Sequence, residues 1–98
     1  MCNIWVTNWG SNDVTELRAS DGANMGTFAV GQAPCGIAFD GTNVWVANHS
    51  GNTVTKLRAS DGATTGTFIA SGLPFGLAFD GANIWVTSPT CLGTVSKM

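Results

Sequence analysis

The residues able to do acid–base, metal or redox chemistry are few in this chain and lie far apart. His49 is the single histidine, and the cysteines are Cys2, Cys35 and Cys91. Catalysis and metal binding need several such groups within reach of one another, and no Ser-His-Asp spacing, CxxC pair or DxDxD-like run supplies them. Three cysteines without a close pair favour free thiols over a disulfide framework. We therefore predict a protein that is not an enzyme, with no catalytic residue, metal site or cofactor.

The composition argues against two further classes of function. The net charge is −2 and only 10% of the residues are charged, against about 25% in a typical domain. Without a basic stripe, electrostatic binding to nucleic acid is not expected, and no apolar run approaches the roughly 20 residues that span a bilayer. Met1 is followed at once by a strand-like segment, so we expect no secretion signal in this chain and assign no compartment.

A repeat of about 40 residues organises the whole sequence. One short segment recurs as NIWVTN at 3–8, NVWVAN at 43–48 and NIWVTS at 83–88. The first two units align without a gap, and 23 of their 40 positions are identical. We therefore read residues 1–98 as one domain-like segment made of the units 3–42, 43–82 and, in part, 83–98.

Each unit predicts four short β-strands separated by turns. In the central unit these are GIAFD (36–40), NVWVAN (43–48), TVTKLRA (53–59) and GTFIA (66–70). The strands are rich in β-branched and aromatic residues, and the Asp-Gly and Gly-Asn segments between them are typical of turns. No window has the periodicity and caps of a helix. Four short antiparallel strands per 40 residues are typical of one blade of a β-propeller, so we predict an all-β propeller of four-stranded blades.

Two residue types hold fixed places in the repeat. Trp5, Trp45 and Trp85 are equivalent, and we expect each to pack between neighbouring blades, where a buried indole removes much apolar area from water. Aspartates precede glycine in the repeated turns, and turn formation explains them better than calcium binding. They are Asp21, Asp40, Asp61 and Asp80.

These motifs resemble a known family. The run IWVTN, followed by N-VT-LRASDGA, GTFAVG and P-GIAFDG, resembles the YVTN-type β-propeller repeat, and it is similar to NHL-type repeats and to the blades of streptogramin lyase. The resemblance implies a propeller that binds partners outside the cytoplasm. The lyase is a metal-dependent enzyme that uses histidine and acidic groups, and since this chain has only His49, that activity is not carried over.

The propeller frame predicts that one chain cannot close by itself. If each blade begins with the strand at the Pro-x-Gly segment, the chain supplies three strands of one blade, four of the next and three of a third. Closed propellers have typically about 4–8 blades. We therefore predict that identical chains complete the ring, with a trimer of two blades per chain favoured and a dimer of three blades per chain as the alternative. The remaining alternatives are a purely structural, self-assembling protein and a fragment of a larger propeller. On the trimer frame, residues 83–98 duplicate residues 3–18.

Sequence differences between the units concentrate in loops on one face. Trp9-Gly10-Ser11 is replaced by His49-Ser50-Gly51 and then by Pro89-Thr90-Cys91. Because loops carry recognition on a rigid scaffold, we predict a binding surface for a protein, a glycan or a small ligand there. Neutral drift in permissive loops is the alternative. The candidate binding residues are Trp9 and Phe75 as apolar anchors, Asn8, Asn48 and Gln32 as hydrogen-bonding groups, and His49 as a titratable group.

Overall fold

A computed structural model of the protein describes residues 3–70, 74–88 and 94–97. These residues form ten β-strands, and within them there is no helix. The strands are β1 (Ile4–Asn8), β2 (Asp13–Leu17), β3 (Asn24–Ala29), β4 (Pro34–Phe39), β5 (Asn43–Asn48), β6 (Thr53–Arg58), β7 (Thr64–Ile69), β8 (Gly76–Phe79), β9 (Ile84–Ser88) and β10 (Thr94–Lys97). The all-β prediction is confirmed.

The strands form three antiparallel sheets, which we call the N-terminal, central and C-terminal sheets. Their strand orders are β1-β2-β3, β4-β5-β6-β7 and β8-β9-β10, with every neighbour also adjacent in sequence. This order agrees with the three, four and three strands predicted from the repeat. The bounds of β5 are those predicted, while β4 and β7 each begin two residues earlier than the sequence indicated.

Both faces of the central sheet are buried, because successive side chains on a strand point to opposite sides. One face contributes to a cluster shared with the N-terminal sheet, made of Val14, Val44, Val46 and Leu57. The other contributes to a cluster shared with the C-terminal sheet, made of Trp45, Val54, Ile84 and Val86. Each fully buried Val or Leu stabilises the fold by about 1.5–3 kcal/mol, so these two clusters hold the sheets together.

The first strands of the three sheets lie side by side, with β4 in contact with both β1 and β8. The Thr7 hydroxyl donates to the carbonyl of Cys35 at 3.2 Å, which links β1 to β4. Gly36 permits the approach from the other side, since a β-carbon there would collide with the backbone carbonyl of Phe75. A glycine is needed at this position because the C-terminal sheet approaches the backbone of β4 closely.

The repeated aspartate and the repeated tryptophan form one unit that we call the Asp–Trp clasp. Asp40 accepts hydrogen bonds from the N–H groups of Thr42 and Asn43 at 2.9 and 2.7 Å, and from the Trp45 indole at 2.9 Å. Asp80 makes the same three bonds, with 2.6 Å to the indole of Trp85. The turn role agrees with the sequence prediction, whereas the indole bond was not foreseen.

The clasp also sets the charge state of these carboxylates. The Trp85 indole, with backbone N–H groups, holds the pKa of Asp80 at about 2. For Asp40, burial acts to raise the pKa, but the bonds from Asn43, Trp45 and Thr42 outweigh it and lower the pKa. In the repeated turns, Arg58 lowers the pKa of Asp61 to about 2. All three aspartates therefore stay ionised in the folded state at pH values where unfolded aspartate takes up a proton.

We predict that these aspartates make the free energy of unfolding fall as the pH drops from about 4 towards 2, and that they add no pH dependence above about pH 5. The folded pKa values lie below the ordinary 3.8, so the unfolded chain binds more protons in that range. Urea unfolding followed by tryptophan fluorescence at a series of pH values measures this. The double variant Asp40→Asn/Asp80→Asn should show a weaker pH dependence, and an equally steep one would contradict the assignment.

Candidate functional site

Three aromatic side chains from the variable loops lie in one row across the protein. Trp9 follows β1, His49 follows β5 and Phe75 precedes β8, so each of the three sheets contributes one ring. The ring centres of Trp9 and His49 are 5.6 Å apart, and those of His49 and Phe75 are 5.9 Å apart. We call this set the aromatic row. It brings together three of the six predicted binding residues.

The aromatic row combines a fixed centre with two accessible ends. Trp9 and Phe75 are both more than half exposed, whereas His49 is half-buried between them. The backbone N–H of His49 donates to the carbonyl of Ala33 at 3.0 Å, and its ring Nδ1 lies 3.3 Å from the carbonyl oxygen of Pro74. Since a carbonyl oxygen can only accept, Nδ1 carries the proton in this contact. The histidine therefore acts here as a spacer held in place by its neighbours.

Gln32 lies at the margin of the row and is exposed. Its backbone nitrogen lies close to Gly51 in the turn that follows His49. Gln32 therefore lies beside the turn that follows His49, and its side-chain amide is of a type that can donate and accept hydrogen bonds. The placement keeps Gln32 a candidate binding residue.

Asn48 was predicted to bind a ligand, and its placement contradicts that role. The side chain is fully buried. Its Nδ2 donates to the hydroxyls of Thr53 and Thr55 at 3.1 and 2.8 Å, and its Oδ1 accepts from the N–H of Gly31 at 3.1 Å. These bonds tie the loop that leaves the N-terminal sheet to the central sheet, and burial leaves the amide inaccessible to a ligand.

Asn8 is the equivalent residue of the N-terminal sheet and is half-buried. Its Nδ2 donates to Asp13 at 2.8 Å and to the hydroxyl of Thr15 at 2.9 Å. The donors of the amide are therefore used within its own sheet, while Oδ1 accepts no hydrogen bond from the described residues. This leaves Asn8 a weaker candidate for ligand binding than the sequence indicated.

The repeated tryptophans occupy three different environments. Trp45 is 9% exposed and lies in the cluster shared with the C-terminal sheet, whereas Trp85 is 37% exposed. Trp5 is half-buried and packs against the first cluster and Phe28, with ring centres 5.7 Å apart. Trp45 also stacks on Phe68 of its own sheet at 5.6 Å. The sequence prediction of packing between sheets left out this contact within the sheet.

The remaining chemical groups are dispersed. Cys35 is a half-buried free thiol, and burial raises its pKa, while Cys2 and Cys91 lie outside the described residues. Within the described residues no group of three His, Cys, Asp or Glu side chains could hold a metal ion, and no helix there could cross a membrane. A pocket of about 200 Å3 beside Trp5 has no ionisable group in its lining: Asn3, Trp5, Ile37, Ala38, Phe39 and Val44.

Part of the predicted loop face lies outside the described residues. Residues 71–73 and 89–93 lie outside the described residues, and they include Pro89, Thr90 and Cys91 of the third variable loop. Of the loop face, the structure describes residues 9–12, 30–34 and 49–52, with Pro74 and Phe75.

Comparison with known proteins shows a similar fold and no family. No protein-family model matches the chain, and no curated protein matches it. Solved structures with a similar fold include a Kuenenia stuttgartiensis hydrazine synthase, with a TM-score of 0.87, and a functionally unknown protein from Desulfotomaculum acetoxidans DSM 771, with a TM-score of 0.72. Each is 20% identical to this chain and covers 98% of it. The chain spans 29% of the first and 37% of the second.

We predict that Asn48→Ala destabilises the protein by about 2–3 kcal/mol, because it strands a buried N–H and two hydroxyls. Asn8→Ala is the matched control and should cost under about 1 kcal/mol, since water can replace its hydrogen bonds. Urea unfolding of both variants at one protein concentration measures the difference. Equal losses would show that burial of Asn48 is not what makes it important.

Proposed function

We propose that this chain is a β-propeller segment of the YVTN/NHL type that works as a non-catalytic binding scaffold and assembles from identical chains. The observation that supports assembly is a difference between equivalent residues. Val44 and Val46 are 0% exposed, whereas Ile4 and Val6 at the same positions of the N-terminal sheet are 52% and 40% exposed. The face that is buried in the central sheet is therefore exposed in the N-terminal sheet.

The opposite end of the chain presents the complementary surface. Inside the protein, the face carrying Val44 and Val46 packs against the N-terminal sheet, and the face carrying Trp45 packs against the C-terminal sheet. The C-terminal sheet offers Trp85 on its outer face, with no described sheet beyond it. A second copy can therefore place its Ile4 face on this Trp85 face and repeat the packing that already holds the sheets together.

Head-to-tail packing of this kind continues until the rotation per sheet closes a ring. Three chains that each contribute two complete sheets give a six-bladed ring, and two chains that each contribute three sheets give the same number. Both lie within the typical range of about 4–8 blades, and we favour the trimer.

A larger propeller is the alternative, and one observation favours it. Both similar solved structures are much longer than this chain, which spans 29% and 37% of them. On this alternative, further repeats of the same polypeptide cover the open faces. A streptogramin-lyase-like metal reaction has less support, because no three His, Cys, Asp or Glu side chains among the described residues could hold a metal ion together.

We assign ligand binding to the aromatic row and Gln32. Exposed aromatic rings contribute strongly to binding when they are held rigid, and Trp9 and Phe75 are each placed against a fixed histidine. Since the row contains no Asp, Glu, Lys or Arg, the partner it fits is an uncharged surface: a protein segment, a glycan or a small planar molecule.

We predict that Ile4→Glu abolishes self-association, because a carboxylate would be buried at the interface without a partner. Ile69→Glu is the matched control, since Ile69 is 84% exposed on the outer strand of the central sheet. Light scattering after size exclusion should give a multiple of 10.1 kDa for the unmodified chain and for Ile69→Glu, and a single chain for Ile4→Glu. A well-folded monomer for the unmodified chain would overturn the assembly proposal.

We predict that Trp9→Ala and Phe75→Ala lose ligand binding while keeping the assembled mass. Ligand-observed NMR against a mixture of monosaccharides and small planar aromatics provides the probe. Phe39→Ala is the matched control, because Phe39 is an exposed ring at the opposite end of β5. Hits that persist equally in all three variants would exclude the aromatic row as the binding surface.

A further inference from the structure

Among the described residues, the N-terminal sheet has no counterpart of the strand that begins each of the other two sheets. In the central sheet β4 pairs with β5, and in the C-terminal sheet β8 pairs with β9. In the N-terminal sheet β1 pairs with β2 on one side, and no described strand pairs with its other edge. Open edges of this kind are templates for a strand from another chain.

The strand that fits this edge is β8. It pairs with β9 in the register Gly76↔Thr87, Leu77↔Val86, Ala78↔Trp85 and Phe79↔Ile84. The four residues it meets, Ile-Trp-Val-Thr at 84–87, are identical to Ile-Trp-Val-Thr at 4–7 in β1. A β8 strand from a second copy would therefore meet the same side chains on β1 as it meets on its own β9.

The indole N–H of Trp5 on β1 also differs from those of the other two repeated tryptophans in its hydrogen bonding. The indoles of Trp45 and Trp85 donate to Asp40 and Asp80, each of which ends the strand preceding the tryptophan. The indole of Trp5 has no carboxylate acceptor among the described residues. Asp80, arriving at the end of a partner's β8, has the position and charge to complete the missing Asp–Trp clasp.

We propose that β8 of one chain pairs with β1 of the next copy instead of with its own β9, and that Asp80 accepts the Trp5 indole N–H of that copy. This strand exchange rests on the self-assembly proposed above, and in the trimer it replaces the stacking of whole chains by a sheet that two chains share. The exchanged sheet contains β8 of one chain and β1, β2 and β3 of the next, which makes four strands as in the central sheet.

Exchange leaves the packing of the second cluster in place. Ile4 and Val6 of the next copy take the positions of Ile84 and Val86 against the central sheet, with the same residue types. The apolar face that is half exposed in the single chain becomes buried. Each chain then supplies two complete sheets, and residues 83–98, which duplicate 3–18, leave the sheet instead of competing for one place in it.

A pair of engineered cysteines distinguishes exchange from simple stacking. In a background with Cys2, Cys35 and Cys91 changed to alanine, Val6→Cys and Leu77→Cys are combined. In the exchanged sheet these residues are directly opposed, and opposed residues on antiparallel strands have Cα separations of about 4.5–5.5 Å, within disulfide range. In stacked, unexchanged chains they belong to different sheets roughly 10 Å apart and cannot be bridged.

The matched control combines Val86→Cys with Leu77→Cys in the same background, which can close only within one chain that keeps β8 on β9. We expect covalent multimers on a non-reducing gel for the Val6/Leu77 pair, and no intrachain disulfide in the assembled Val86/Leu77 pair. Exchange would be overturned by two results obtained on material that light scattering shows to be assembled. The Val6/Leu77 pair would run as single chains, and the Val86/Leu77 pair would form a complete intrachain disulfide. A monomeric unmodified chain would instead overturn the self-assembly on which it rests.

Discussion

The need to bury both faces of every sheet governs this protein. The side chains of β5 are apolar on both sides, with Val44 and Val46 on one face and Trp45 on the other, so the central sheet is stable only between two neighbours. The low charge content follows, since an unpaired charge on either face would be buried at high cost. The two arginines accordingly lie at the surface, in the Arg18–Asp21 and Arg58–Asp61 pairs of the turns.

The strands and turns could be predicted from the sequence because both depend on local residue types. The β-branched run of β5 and the Asp-Gly turn at Gly41, whose φ is 100°, can be recognised from neighbours alone. The same reasoning failed for Asn48, the last residue of β5, which was predicted to offer its amide to a ligand on the loop face and is instead fully buried. Its burial arises because the chain near Gly31, seventeen residues earlier, folds over it. A contact between two different repeat units is not visible in the pattern of one unit.

The candidate site likewise depends on contacts between different repeat units. Trp9 and His49 hold equivalent positions in successive units, so stacking the units brings them together without any sequence motif joining them. Phe75 comes from a different loop, and the close approach of its backbone to Gly36 places its ring against His49. The variable positions of the repeat thus meet on one side, while the constant positions form the scaffold.

The hydrogen bond from Gly31 to Asn48 has a consequence for how such a gene can change length. It joins Gly31 of the first unit to Asn48 of the second, and the Asp–Trp clasp joins Asp40 of the first unit to Trp45 of the second, five positions later. Duplication or loss of a 40-residue stretch by unequal recombination therefore leaves each junction with its partners present. Chains with different numbers of blades can therefore arise in single genetic steps. Each new length must also allow the ring to close.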